Sequence, residues 1–399
     1  MVETALEDVT VIDLTYDIAG PYCTKMLADF GANVIKVEEL LCGDKARRMG
    51  PFPRDIPHPE KSGLFLFHNT NKWGITLNIG TKTGGEILKA LVADADILVE
   101  NFPPGRMAGL GLGYERLRAI NPGLVMTSIS SFGQTGDYRD YKATDVVEYA
   151  LGGFMFLSGD PDREPLQVTL CQAQYMAARN AVLATLVALF YQRATGEGQY
   201  VDVSTMESVT SQPPFYINQY TYTGAIASRG PKYEDVVDGA YLACRDGYVT
   251  LTTGGGQPFG EFADFLGLPE LKDPKFANRI QRALNSDELA ALVEPKLKEW
   301  NKHEFFHSGM KHGFVFGVAQ SPEDIVNCPQ LAAREYFQEV EHPEAGRLEY
   351  PGACFDMRET PFQIRRPAPL LGQHNEEVFC RLLGYSRQEL VKLREMGVI

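Results

Sequence analysis

The N-terminal half of the chain alternates short apolar runs with amphipathic stretches. Val9 to Leu14 is a β-branched run, and an amphipathic stretch from Gly20-Pro21 to Phe30 separates it from a second strand, Asn33 to Glu38. The pattern repeats as strand Ile75–Ile79, helix Gly85–Val92, strand Ile97–Val99, helix Tyr114–Ala119 and strand Leu124–Ile129. Strand and helix periods that alternate in this way predict a parallel sheet covered on both faces by helices. An Ala-rich helix over Tyr175–Arg193 ends at Gly196-Glu197-Gly198, and strand Tyr200–Val203 follows.

From Ser228 the texture changes. Two short strands, Tyr241–Cys244 and Tyr248–Thr252, precede helical patterns at Phe259–Leu266 and Asp287–Trp300. The division predicted is a large domain from residues 1–227, a smaller α+β domain over 228–325, and a C-terminal segment, 326–399, that returns to the large domain. That segment is Pro-rich at Arg365-Arg366-Pro367-Ala368-Pro369 and helical from Glu376.

Composition narrows the function classes. Apolar residues at 44% and charged residues at 23% of 399 residues are those of a globular protein. The net charge of −14 opposes nucleic-acid and anionic-membrane partners. No apolar run reads as a membrane span and no signal pattern opens the chain, so the expected location is the cytoplasm. The seven cysteines are scattered without a CxxC and read as reduced thiols.

Two motifs mislead. His303-Glu304-Phe305-Phe306-His307 spells HExxH, with His312 beyond it, but Gly309 and His312 each come one residue off the spacing of a third-histidine zinc site. These histidines read as residues of a polar helix, and no metal is expected. Gly109-Leu-Gly-Leu-Gly113 and Gly254-Gly-Gly-Gln257 do not match GxGxxG and read as tight turns.

Several segments in series carry a resemblance. They are Asp13-Leu14 with Ala19-Gly20-Pro21, Gly31-Ala32-Asn33-Val34-Ile35-Lys36-Val37-Glu38 closing on Gly43-Asp44, Asn71-Lys72, and Glu100-Asn101-Phe102 with Pro104-Gly105. Ser130-Ser131-Phe132-Gly133-Gln134-Thr135-Gly136, Thr195-Gly196-Glu197-Gly198-Gln199 and the terminal Pro367-Ala368-Pro369 complete the series. In this order, over nearly the whole chain, they resemble the class III CoA-transferases, also called the CaiB/BaiF or formyl-CoA transferase family. The resemblance implies a Rossmann-like large domain, an inserted small domain and an interlocked dimer. It also implies chemistry in which an Asp carboxylate attacks an acyl-CoA thioester and CoA passes to an acceptor acid. No covalently bound cofactor is implied; coenzyme A and acyl-CoA are substrates.

The family nucleophile lies twenty-two residues before the glycine of TGxGQ, and here that position is Gln174. The expected catalytic set in this chain is therefore empty, because a neutral amide does not carry an acyl anhydride. The racemases of the superfamily pair the same Asp with a His, whose position here is Thr144. Arg47, Arg48, Lys72, Asn101, Arg106 and Lys142 are the residues that the resemblance places against CoA. The resulting expectation is a non-nucleophilic subunit, with a homologous partner chain supplying the Asp, as in the succinyl-CoA:benzylsuccinate CoA-transferases. The alternatives are a stand-alone acyl-CoA lyase or isomerase working without a covalent intermediate, and a non-catalytic CoA-binding protein.

Overall fold

The computed structural model describes residues 4–229, 238–252 and 257–399, so Gly254 to Gly256 of the second glycine run lie outside the described residues. The chain forms two compact units. One comprises Met1–Met155, Gln167–Ala225 and Arg334–Ile399; the other comprises Phe156–Leu166 and Ile226–Ala333. The smaller unit thus takes in a segment from before the long helix and runs past residue 325 to Ala333.

The larger unit is built on a six-stranded parallel sheet. Its strands are β1 (Thr10–Asp13), β2 (Asn33–Glu38), β3 (Trp73–Thr76), β4 (Ile97–Glu100), β5 (Val125–Ser130) and β6 (Tyr200–Ser204), in spatial order β3-β2-β1-β4-β5-β6. Alternate residues feed opposite faces. Ile12, Ile35, Val37 and Leu98 join one core with Ile87, Leu88 and Leu91 of the helix Lys82–Ala93. Val11, Val34, Ile97, Val99 and Val125 join the other, with Leu27 of the helix Ala19–Asp29 and Ala177, Ala181 and Leu189 of the helix Gln172–Thr195. Burial on both faces explains why these strands read as unbroken apolar runs.

The 24-residue helix Gln172–Thr195 is long and apolar enough, by length and composition, to cross a membrane. This corrects the reading that no segment has that character. Here one face is core, whereas Leu183, Val187 and Phe190 are exposed, Phe190 at 79%. The C-terminal segment packs into the first core through Val378, Phe379, Leu390, Leu393 and Val398, and the Asn78 N–H donates to the Val398 carbonyl at 2.8 Å. Helical structure there falls in two pieces, a π-helical Glu377–Leu382 and an α-helix Arg387–Glu395.

The smaller unit carries an antiparallel sheet in the order β7 (Asp238–Cys244), β8 (Gly247–Thr252), β9 (Val315–Val318). Its core is aromatic, with Phe305 and Phe316 stacked at 4.8 Å between ring centroids. Phe305 is the buried residue of the HExxH stretch; His303 Nε2 meets Asp324 Oδ1 at 2.9 Å and His312 Nδ1 meets the Ser308 carbonyl at 2.8 Å. A two-stranded antiparallel ribbon, β10 (Phe337–His342) with β11 (Gly346–Pro351), belongs to the larger unit.

Candidate active site

In a parallel sheet, the loops beyond the carboxyl ends of the strands converge on a crevice. The loops after β1 and β4 are locked reciprocally: Tyr16 N–H donates to Asn101 Oδ1 at 3.0 Å, and Asn101 Nδ2 donates to the Tyr16 carbonyl at 2.8 Å. Two cavities open here. One, of about 320 Å³, is lined by Thr15, Glu38, Gly43, Asp44, Asn78 and Arg106. The other, of about 510 Å³, is lined by Asn101, Ser130, Ser131, Arg139, Lys142, Glu148 and Gln174. Tyr16, Lys45 and Phe102 line both. Lys45 Nζ stands 4.5 Å over the Tyr16 ring, a cation–π contact at the junction.

Gln174 sits in the first turn of the helix Gln172–Thr195, just after Leu170 and Cys171, both with left-handed backbone at φ 67° and 53°. The first turn carries no acidic residue of its own. Negative charge reaches it from the preceding helix, Asp145–Leu151. Asp145 Oδ1 accepts from the Gln174 backbone N–H at 3.1 Å and Asp145 Oδ2 from Gln167 Nε2 at 2.6 Å. One turn on, Glu148 Oε2 accepts from the Gln174 side-chain amide at 2.5 Å. Burial pushes the Glu148 carboxyl above its ordinary range, against the opposing hydrogen bonds from Ser131 and Gln174.

Asp145 thus holds the backbone of residue 174 and Glu148 its side chain. Glu148 comes from the helix Asp145–Leu151, not from the helix that carries Gln174. Its signal was present: Asp145 and Glu148 are one turn apart at the start of an otherwise apolar segment, DVVEYAL.

The six basic and polar candidates divide. Asn101, Arg106 and Lys142 line the cavities. Arg48 is exposed and donates to the Cys42 carbonyl, lining neither. Arg47 and Lys72 are buried, which corrects their expected place against CoA. Arg47 pairs with Glu38 at 2.7 Å and Glu60 at 2.5 Å and donates to the Pro369 carbonyl at 3.0 Å. Lys72 Nζ has Asp13, the Pro21 carbonyl, Thr24 and Asn69 within 3.0 Å. The three donors of Lys72 are all engaged, and Arg47, fully buried, spends four of its five N–H groups on Glu38, Glu60 and Pro369, so neither presents a free charge to a phosphate. Lys45 and Arg139, which the sequence reading missed, take their place at the cavities.

Comparison with known proteins agrees with this architecture. The model of CoA-transferase family III matches residues 6–375. The chain is 33% identical to the succinyl-CoA–D-citramalate CoA-transferase of Chloroflexus aurantiacus, over 99% of this chain and 98% of that protein. It is 32% identical to subunit BbsE of the succinyl-CoA:(R)-benzylsuccinate CoA-transferase of Thauera aromatica, over 98% and 97%. The crystal structure of a CaiB/BaiF family protein from Brucella suis superposes with a TM-score of 0.86 at 30% identity, covering 95% of this chain and 99% of that one.

Proposed function

The chain belongs to CoA-transferase family III, and from that premise we propose that it is the non-nucleophilic subunit of a two-chain enzyme. The enzyme transfers CoA from an acyl-CoA to an organic acid, and a homologous partner chain in an interlocked dimer supplies the catalytic Asp. The observation that carries this reading is the amide at position 174. Gln174 lines the larger cavity and donates its side-chain N–H to Glu148, and an amide engaged in this way has neither the charge nor the basicity to open a thioester. A relative that is by name a subunit, at 32% identity over nearly the full length, supports the two-chain arrangement. In this subunit Lys45, Arg106, Arg139 and Lys142 bind the phosphorylated end of CoA, as cations do. The test is isolation of the native protein: a second chain of similar size should copurify, and transferase activity should require both.

A second reading has one observation in its favour. Glu148 is a buried carboxylate with a raised pKa facing the cavity, which suits non-covalent acid–base chemistry in this chain alone.

A further inference from the structure

Three carboxylates line the larger cavity: Asp17, Asp140 and Glu148. Asp140 is largely exposed and sits 3.4 Å from the Arg139 guanidinium. Asp17 lies on the loop after β1 and has no bond to residue 174 in its reach; its N–H is held by Asp44 at 2.9 Å. Glu148 is different in kind. It is 2% exposed, faces the cavity, and is clamped between Ser131 and the Gln174 amide at 2.5 Å. A carboxylate fixed by two donors and shielded from bulk solvent has the placement of a general base acting through one water. Gln174 stands between it and any covalent role, because the amide occupies the position from which a carboxylate would attack.

We propose that Glu148 gives this chain a slow activity of its own, hydrolysis of acyl-CoA thioesters by general-base activation of water in the larger cavity. The proposal rests on the reading that this cavity admits an acyl-CoA. As the water oxygen bonds to the thioester carbonyl carbon, Glu148 accepts the water proton and the carbonyl π pair moves onto oxygen. When the tetrahedral intermediate collapses, the C–S bond breaks and the proton held by Glu148 passes to the departing sulfur. The products are the free acid and CoA thiol. Gln174 acts here as a positioning residue, holding the base.

The experiment uses the full chain purified alone, with acetyl-CoA as probe, no acceptor acid, and thiol release as the readout. A thioether analogue that cannot be cleaved reports binding separately. The expected result is thiol release that falls about a hundredfold, the lower end of general-base contributions, in Glu148→Gln, with analogue affinity and melting temperature unchanged. A single turnover in 18O-water should label the released acetate and leave Glu148 unlabelled. Analogue binding without hydrolysis, or hydrolysis equal in Glu148→Gln, overturns this inference and leaves the subunit reading standing. Label in the Glu148 carboxyl also overturns it, in favour of a covalent role. No binding of the analogue overturns both.

Discussion

Lys72 Nζ lies 3.0 Å from Asp13 Oδ2, with both side chains fully buried beneath the carboxyl end of the sheet. Burial opposes the Asp13 charge, yet Lys72, Lys36 and the hydroxyls of Thr15 and Thr24 outweigh it and hold the carboxyl near the bottom of its range, at about 2. The Lys72 partners span the start of the helix Ala19–Asp29 and the segment before β3. The pair is a brace for the loops that shape the cavities.

Lys72→Met should therefore lower stability by about 3–5 kcal/mol, the cost of leaving a buried charge without its partner. Urea unfolding measures it. CoA affinity of the folded fraction should change less than threefold. A stable Lys72→Met protein with CoA affinity lost would return this lysine to the ligand.

Lys45 lines both cavities and is exposed, so under the proposed function its loss should be felt in binding rather than in folding. Lys45→Ala should weaken CoA binding by about fivefold to tenfold, about 1–1.4 kcal/mol for one charge-assisted contact. The melting temperature should not move. The effect should shrink at high salt, as for any accessible charge; titration calorimetry at two ionic strengths checks both.

Glu100, at the end of β4, accepts from the Ser128 hydroxyl and, at 2.7 Å, from the Phe102 N–H. Burial lifts its carboxyl from the ordinary 4.5 to about 7, more than these bonds pull it down. The folded chain keeps a proton that the unfolded chain releases between those two values. Stability contributed by this group is full below pH 4.5 and is lost as pH rises to about 7, by on the order of 3 kcal/mol. Glu100→Gln mimics the protonated form, with an oxygen for Phe102 and an amide for Ser128. Denaturant midpoints between pH 5 and 8 should fall for the wild type and stay flatter for the variant.

The sheet was readable because strands buried on both faces leave continuous β-branched runs, as at Val9–Leu14 and Ile97–Val99. Boundaries drifted where capping was unusual. The long helix begins at Gln172 rather than Tyr175 because Leu170 and Cys171 turn left-handed, which no glycine advertises. Residue 174 is located by the family resemblance, which sets its distance from the glycine of TGxGQ. Arg47 and Lys72 could not be sorted from Lys45 in the sequence, since all three are basic residues in or beside family motifs. What separates them is the acids folded around the first two, Glu38, Glu60 and Asp13, brought from other elements. The acidic pair Asp145 and Glu148 is visible in the sequence, but the relation of Glu148 to Gln174 spans 26 positions and comes only with the fold.

The chain purified alone should transfer no CoA from an acyl-CoA to an acid, and hydroxylamine trapping should leave Gln174 unmodified. Coexpression with a homologue carrying D-x-x-x-G should create transfer and raise soluble yield together. The exposed apolar face of the helix Gln172–Thr195, with Leu183, Val187 and Phe190, is the kind of surface an obligate partner covers. In that complex, changing the partner's nucleophilic Asp to Asn should abolish transfer. Gln174→Ala here should leave turnover within about twofold while lowering stability by about 1–3 kcal/mol, because Glu148 then loses a buried hydrogen-bond donor. Steady-state transfer assays and thermal unfolding on the same preparation separate the two effects. If Gln174→Ala removed transfer from a complex that stayed assembled, the amide would have a chemical role and this site would not be silent in CoA transfer.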